Sequence, residues 1–373
     1  MTGKSGEPKR RGKKMEFIVQ NALKAAQQEV NWNENLVGHA NIKVIGVGGA
    51  GNNMGDWLYH KGVKGAEIIL TNTDKAHLDA READKKILIG RESTRGLGAG
   101  GYLEVGEQAA KESLPEIKDS LKSADMIFIC AGMGGGTGTG ASPIVAQIAK
   151  EQGAIVIGTV TMPFKIEKAR IEKAEEGLQK LRKNCDTVIV IDNNRLIEIA
   201  GQLPISQAFG VANELVATMI KGIVEMITVP SLVNRDFADI KAVMKGGGVA
   251  VIGVGESDTE NRVEESVKRA LLNPLLDVSY EGAQGTLIHI TGGPDMTLDE
   301  VNKVGEMVTA SLDPDAMVTW GARVMDNMSG KMRVMTIITG VKSPYILGPS
   351  VGGKKAVDRA AAIHSDLGIE ILR

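Results

Sequence analysis

The amino-acid sequence predicts an α/β fold: a Rossmann-like parallel sheet with helices on both faces, a long central helix, and then a smaller α+β domain. Three observations lead there. From residue 41 onward, short apolar runs alternate with longer stretches of helical period, the pattern of repeated βαβ units. The runs are apolar on consecutive positions, as strands buried on both faces must be. Glycine clusters fall at the ends of three of these runs, where an open parallel sheet binds its ligands.

The elements follow in order. Residues 1–14 carry Lys4, Lys9, Arg10, Arg11, Lys13 and Lys14 among Gly and Pro, with nothing to bury, and predict a disordered basic arm. Residues 15–40 predict an N-terminal helix, over 15–30, and a linker. A first domain over 41–205 contains expected strands at 42–47, 67–72, 86–90, 125–132, 154–160 and 187–192, with helices at 106–123, 141–152 and 167–183. An unusually long apolar helix occupies 206–230 and stops at Pro230. A second domain over 231–345 opens with a loop at 231–239. It continues with strands at 249–254, 285–291, 316–324 and 332–340 around helices near 260–273 and 297–311. Residues 346–373 read as a flexible tail that ends in an apolar motif, Asp366-Leu-Gly-Ile-Glu-Ile-Leu-Arg373.

Composition narrows the function. With 373 residues there is room for two or three domains, and 43% apolar against 24% charged residues is the balance of a soluble globular protein. A net charge of −2 gives no whole-protein field toward nucleic acid, and no nucleic-acid partner is expected. Cys130 and Cys185 are too few for a disulfide framework and lack metal-ligand spacing, so they read as small buried thiols. No apolar stretch approaches the ~20 residues that span a bilayer, and no secretory signal opens the chain, so a cytoplasmic location is expected. Among His39, His60, His77, His289 and His364, none lies in a recognisable acid–base setting. Glycine is the outlier: 46 of 373 residues, well above the usual ~7%.

The first glycine cluster, Gly46-Val-Gly48-Gly-Ala-Gly51-Asn-Asn53, lies between a strand and a helix and is followed about twenty residues later by Asp74. Alone it fits a dinucleotide-binding turn, and a nicotinamide enzyme stays open on that evidence. The second, Gly132-Met-Gly134-Gly-Gly-Thr137-Gly-Thr-Gly140, follows strand 125–132 and precedes Ala141-Ser-Pro143, read as the opening of a helix. Such density lets successive N–H groups turn onto phosphate oxygens, with the helix dipole behind them. A third, Arg95-Gly-Leu-Gly98-Ala-Gly-Gly101, follows strand 86–90. Three such loops on one edge suit a nucleoside triphosphate, yet no G-x-x-x-x-G-K-[S/T] is present, so this is not a P-loop enzyme.

These residues carry a resemblance. Gly134-Gly-Gly-Thr-Gly-Thr-Gly140 is similar to the GGGTGTG signature of FtsZ and, slightly varied, of tubulins. Gly48-Gly-Ala-Gly51-Asn-Asn53, Asn72-Thr-Asp74, the Arg95–Gly101 loop and Asn234-Arg-Asp236-Phe-Ala-Asp239 resemble the other FtsZ loops, in order, from about 41 to 340. The resemblance implies a GTP-dependent, self-assembling cell-division protein, probed below. The arm, first helix and tail lie outside it, although the tail is similar to adaptor-binding tails of archaeal FtsZ proteins.

By that resemblance Gly48, Gly49, Gly51, Asn52, Asn53, Gly98, Ala99, Gly100, Gly134, Gly135, Gly136, Thr137 and Gly138 surround the phosphates of GTP or GDP. Asn72 and Asp74 lie near the γ-phosphate and a magnesium ion that is held mainly by phosphate oxygens and water. Glu167 and Arg170 contact the ribose side, with one departure: the family writes E-G-x-x-R where this chain has Glu167-Lys-Ala-Arg170. Asn193 and Asn213 meet the base. Asp192 replaces the family's usual proline, and Asn213 replaces its usual aspartate, as in tubulins. Asn234, Asp236 and Asp239 are the implied catalytic residues, acting on the nucleotide of the next subunit in a head-to-tail filament. A membrane-tethering adaptor is implied for 366–373 and recruitment to the division site at mid-cell for the whole. A non-hydrolysing regulator or scaffold paralogue is the alternative that the Asn213 and Arg170 departures leave open.

Overall fold

A computed structural model describes residues 40–228, 237–245, 248–271, 283–310 and 312–341. The expected arm, first helix, tail, and most of the 231–239 loop, including Asn234 and Asp236, lie outside these residues.

Six parallel strands build the first half: β1 (Ile42–Val47), β2 (Ala66–Asn72), β3 (Lys85–Leu88), β4 (Met126–Gly132), β5 (Ile155–Met162) and β6 (Thr187–Asp192). All six runs expected from consecutive apolar residues are strands, displaced by no more than two residues at either end. They are arranged in the order β3-β2-β1-β4-β5-β6. β1 therefore pairs with β2 on one side and β4 on the other, and the order reverses there. In an open α/β sheet that reversal splays the flanking helices to opposite faces and leaves a crevice at the strands' carboxyl ends.

Helices cover both faces. On one lie α1 (Gly48–Lys61) and the central helix α9 (Ile205–Thr228); α2 (Lys75–Asp79), α3 (Arg91–Thr94) and α8 (Asn193–Ala200) are short pieces at strand ends. On the other lie α4 (Leu103–Glu112), α5 (Leu114–Ser120), α6 (Gly136–Glu151) and α7 (Ala169–Asn184). The strand pleat sorts the core accordingly. Ile45, Ile127 and Ile129 pack with Ala109, Leu121, Val145 and Leu178, whereas Val44, Met126 and Phe128 pack with Met54, Leu58 and Ile220.

Two helical expectations are corrected. The single helix expected over 106–123 is two, because Pro115 sits in the first turn of α5, where its missing N–H is tolerated but continuation from α4 is not. The helix expected to open at 141 begins at Gly136 and holds Pro143 in its interior. Glycine costs a helix about 1 kcal/mol per residue in isolation, but here it lets backbones touch. A Cβ at Gly140 would stand 2.1 Å from the carbonyl oxygen of Leu103. Tertiary packing overrides propensity along this helix.

The second half adds β7 (Gly248–Ser257), β8 (Gly285–Gly292), β9 (Met317–Val324) and β10 (Met332–Thr339), with α10 (Phe237–Met244) before β7 and α11 (Arg262–Leu271) and α12 (Leu298–Thr309) between later strands. β7 joins β6 in parallel over two pairs, Thr187 with Gly248 and Val188 with Val249. The order then runs β7-β10-β8-β9, with β10 antiparallel to both neighbours. Ile288, Ile290 and Val334 pack under α11 and α12 with Val267 and Val304. The opposite face, with Ile252, Leu287, Met335 and Ile337, shares one core with Val216, Ile220, Ile223 and Val224 of α9 and Phe128 and Ile189 of the first sheet. Each fully buried aliphatic side chain contributes about 1.5–3 kcal/mol, so α9 is held by both sheets at once.

The end of α10 is fixed to the start of β6, where Thr187 Oγ1 donates to the Met244 carbonyl at 2.7 Å. β6 is parallel to the rest, so α10 sits at the amino ends of the strands while the glycine clusters sit at the carboxyl ends. Six strand residues separate those edges, a span of about 20 Å.

His289 on β8 shares the face of Leu287 and is buried, and its Nδ1 has no hydrogen-bond partner among the described residues. Burial, reinforced by Arg323, lowers its pKa to about 4. Between the ordinary histidine value and that figure the unfolded chain takes up a proton that the native chain refuses, so stability falls as pH falls through this window. The expected loss is roughly 3 kcal/mol on going from neutral pH to about pH 4. Urea unfolding of wild type and His289→Leu across pH 4–7 checks it: the wild type is expected to lose stability more steeply than the variant.

Candidate functional site

The carboxyl ends of β1 and β4, on either side of the order reversal, each run directly into a helix. α1 starts at Gly48 and α6 at Gly136, neither has a side-chain cap, and neither carries an acidic residue in its first turn. Two helices of 14 and 16 residues thus present free first-turn N–H groups and positive dipole ends at one crevice, the electrostatic pattern of an anion site.

The glycine clusters touch one another. Gly48 has φ +73, and a Cβ there would lie 2.8 Å from the Gly138 nitrogen and 3.3 Å from Thr137 Cβ, which brings the first two turns into backbone contact. The third loop closes from the other side: a Cβ on Gly136 would meet Ala99 Cβ at 2.8 Å and the Tyr102 carbonyl at 2.9 Å. That loop does not follow β3 directly, as expected, but comes after α3. It is pinned to the end of β2 by Lys75 N–H donating to Gly96 O at 3.0 Å and Gly98 N–H to Thr73 O at 3.1 Å. A buried hydroxyl pair, Thr73 Oγ1 and Thr137 Oγ1 at 2.7 Å, joins β2 to α6. The Gly134 N–H donates to Thr139 Oγ1 at 2.8 Å, holding the backbone ahead of α6. Gly135 faces open space, since a Cβ there meets nothing within 4 Å.

The individual side chains divide by role. Asn52 is fully buried; with its amide oriented so that nitrogen donates to Thr71 O at 2.9 Å and to Gly48 O, it fixes the start of α1 against β2. Gly51 serves packing, with Cys130 O 2.2 Å from where its Cβ would be. Asn53 differs: its Oδ1 is buried with no hydrogen-bond partner among the described residues, the state of a group awaiting a donor. Asn72 Oδ1 accepts from Asp74 N–H at 3.2 Å, and Asp74 Oδ1 caps α2 by accepting from His77 N–H at 3.0 Å. Gly98 packs beside Asp74, and Gly100 continues the loop in a left-handed conformation.

The end of β5 forms a second wall. A short turn, Lys165–Glu167, is closed by Phe164 N–H donating to Glu167 Oε1 at 3.0 Å. Glu167 also accepts from Arg170 at 2.7 Å, so these two candidates form an ion pair with each other. Lys168 takes φ +34 between them; a side chain in that conformation costs about 1 kcal/mol that a glycine avoids. The Arg170 backbone lies against Gly134, with its carbonyl 2.8 Å from a Cβ built there. Asp192 caps α8 by accepting from Asn194 N–H at 2.8 Å, and Asn194 in turn accepts from Lys165 N–H at 2.8 Å. These bonds set Asn193, the first residue of α8, beside the β5 turn. Phe164 meets Phe209 edge to face at 6.0 Å, bringing the first turns of α9, and half-buried Asn213 beyond them, to the same side. Trp57 and Lys61 of α1 both bind the Glu214 carboxylate; burial opposes its ionisation, but these partners outweigh that and lower its pKa.

Both cysteines are buried, and burial pushes the Cys130 thiol up to about 12 and Cys185 higher still. Neither serves as a nucleophile. Among the catalytic candidates only Asp239 is described. It stands in the first turn of α10, not in a loop, because Phe237, Ile240 and Val243 face the core shared with α9.

Comparison with known proteins settles the lineage. The model of the tubulin/FtsZ family GTPase domain matches residues 41–201, and that of the FtsZ family C-terminal domain matches 248–342. The chain belongs to the FtsZ family. It is 57% identical to cell division protein FtsZ 2 of Methanocaldococcus jannaschii over 88% of this chain and 87% of the relative, and 51% identical to cell division protein FtsZ 2 of Halobacterium salinarum over 93% and 89%. A solved structure described as an empty FtsZ dimer of M. jannaschii superposes with a TM-score of 0.76 at 44% identity, covering 90% of this chain and 99% of that one. CetZ2 from Haloferax volcanii shares the fold at 23% identity, with a TM-score of 0.70 over 82% of this chain and 95% of its own. The FtsZ relationship explains why the first glycine turn misleads on its own: an uncapped helix start suits the phosphates of a mononucleotide as well as those of a dinucleotide.

Gly48→Ala tests whether the turns must touch. The side chain would meet the backbone of Gly138 and force a left-handed alanine, costing about 1–2 kcal/mol of strain before any repacking. The variant is expected to fold, with a lower melting temperature, and to lose at least tenfold in guanine-nucleotide affinity by titration calorimetry.

Proposed function

We propose that this FtsZ-family protein binds GTP on the three touching glycine turns and hydrolyses it only between head-to-tail copies, as a filament-forming subunit of cell division. The observation that carries the reading is the separation of the two half-sites. Asp239 belongs to α10, bound to the amino end of β6, while the uncapped helix starts lie at the carboxyl ends. A carboxylate about 20 Å away along the sheet does not reach a phosphate on its own subunit. A second copy stacked on the first brings the two edges together.

Several features support the parts. Gly135 facing open space and two uncapped helix starts fit phosphate oxygens as ligands. By the family resemblance magnesium would be carried in by phosphate oxygens and water. When bound, that ion neutralises developing phosphate charge. Glu167, kept in place by Phe164 and Arg170, would meet the ribose, and Asn193 and Asn213 the base. An Asn213 carbonyl accepts one guanine N–H where aspartate accepts two. Asn234, Asp236 and Asp239 of the neighbouring copy would orient and polarise the attacking water.

The rim of the site favours association. Leu97, Ile166 and Ile205 are 84%, 84% and 76% exposed, with Ile197 and Leu203 beside them, and the start of β9 at the opposite edge exposes Met317 and Val318. Unlike apolar faces at opposite ends give a heterologous contact that repeats into an open filament. The dimer of the M. jannaschii relative agrees with self-association. Among the described residues no helix is long and apolar enough to cross a membrane; recruitment to the division site would fall to residues 366–373, which resemble an adaptor-binding tail.

Complementation provides the test. Asp236→Ala is expected to bind GTP within twofold of wild type and to lose about a hundredfold in turnover. Mixing it with Gly48→Ala, at a GTP concentration too low for that variant to bind, is expected to restore hydrolysis, because one copy supplies nucleotide and the other carboxylates. Turnover that stays absent in the mixture, or a specific activity that is constant on dilution, would contradict shared catalysis.

A further inference from the structure

Among the described residues His77 is the one histidine beside the glycine turns, and neither the motifs nor those turns account for it. We infer that His77 is a phosphate-contacting hydrogen-bond donor of the nucleotide site, held by Asn72 in the tautomer that carries its proton on Nε2. The inference rests on the GTP reading above and adds a residue to it.

The tautomer follows from hydrogen-bond arithmetic. His77 Nδ1 lies 3.4 Å from Asn72 Nδ2. Asn72 cannot present its oxygen there, because that oxygen already accepts the Asp74 N–H at 3.2 Å. Its nitrogen therefore faces the ring and donates, and Nδ1 must be the acceptor. In a neutral imidazole the proton then resides on Nε2. Burial and Arg81 favour this neutral form, against the pull of Asp74 and Asp56.

The ring's far edge points at the first glycine turn. A Cβ built on Gly49 would lie 3.8 Å from His77 Nε2 and 4.0 Å from Cε1. Gly49 is the second residue of uncapped α1, so the Nε2–H and the first-turn N–H groups of α1 border the same space. Any side chain at 49 would fill the gap between them; glycine leaves it for a ligand oxygen. The cap of α2 uses the His77 backbone N–H and not its ring, so the ring is not needed to hold the helix. A neutral, directional Nε2–H adds one hydrogen bond to a charged phosphate oxygen.

The test compares GTP and GDP binding, with magnesium, by calorimetry for wild type, His77→Phe and His77→Gln. Phenylalanine keeps the ring volume and removes the donor; glutamine returns an N–H of similar reach. About tenfold weaker binding is expected for His77→Phe, the scale of one hydrogen bond to a charged oxygen, with His77→Gln within threefold of wild type. Equal affinity of His77→Phe and wild type would overturn the role of His77 alone, whereas a wild type that binds no guanine nucleotide would overturn the parent reading. Should His77→Phe fail to fold, nitrogen-15 NMR of the wild-type imidazole decides. Protonated Nε2 and bare Nδ1, with the Nε2 resonance moving on GTP addition, support the assignment; a proton on Nδ1, or no movement, refutes it.

Discussion

Everything at the candidate site depends on backbone meeting backbone at the point where the strand order reverses. Gly48 abuts Gly138, Gly136 abuts the loop at Ala99, and Gly134 abuts Arg170. A methyl group at any of these positions would push two turns apart. The contact is not stabilising in itself, since glycine raises the entropy cost of folding. It is tolerable because β1 and β4, with Val44, Ile45, Phe128 and Ile129 fully buried, fix the platform beneath it. A large apolar core thus permits a small, costly and preorganised polar edge.

Much of this was legible in the chain. Strands buried on both faces have no choice but to be apolar throughout, so all six runs of the first sheet could be read to within two residues. The glycine clusters named the site because no other residue allows such approach. What escaped reading has a physical cause in each case. Local propensity disfavours Gly136, Gly138 and Gly140 in a helix and so points to a start at 141; the contacts that reward them come from the loop at Ala99, from α4 and from the ends of β1 and β4, all outside the helix's own sequence. The end of the 231–239 loop is helical because α9's core recruits Ile240 and Val243, a long-range effect. Thr73 and Thr139 lie inside quoted motifs and His77 outside them, and only the fold shows what these three touch. Asp192, an apparent departure from the family's proline, is a helix cap.

The two substitutions that left a non-hydrolysing paralogue open also look different in three dimensions. Arg170 reaches Glu167 despite the shortened turn, because Lys168 absorbs the change in a conformation normally left to glycine. Asn213 lies on α9 behind Phe209, which is packed against Phe164 at the β5 turn. Both residues remain on the wall where the resemblance places ribose and base.

The central helix has a consequence for mechanics. Its side chains are wedged simultaneously against both halves of the sheet, and the helix that bears Asp239 is seated in the same apolar mass. Close-packed interiors do not shear smoothly; a rod gripped along its length transmits displacement from one end to the other. The aromatic contact at Phe209 and the turn that bears Asp239 are thus joined by one continuous packed core.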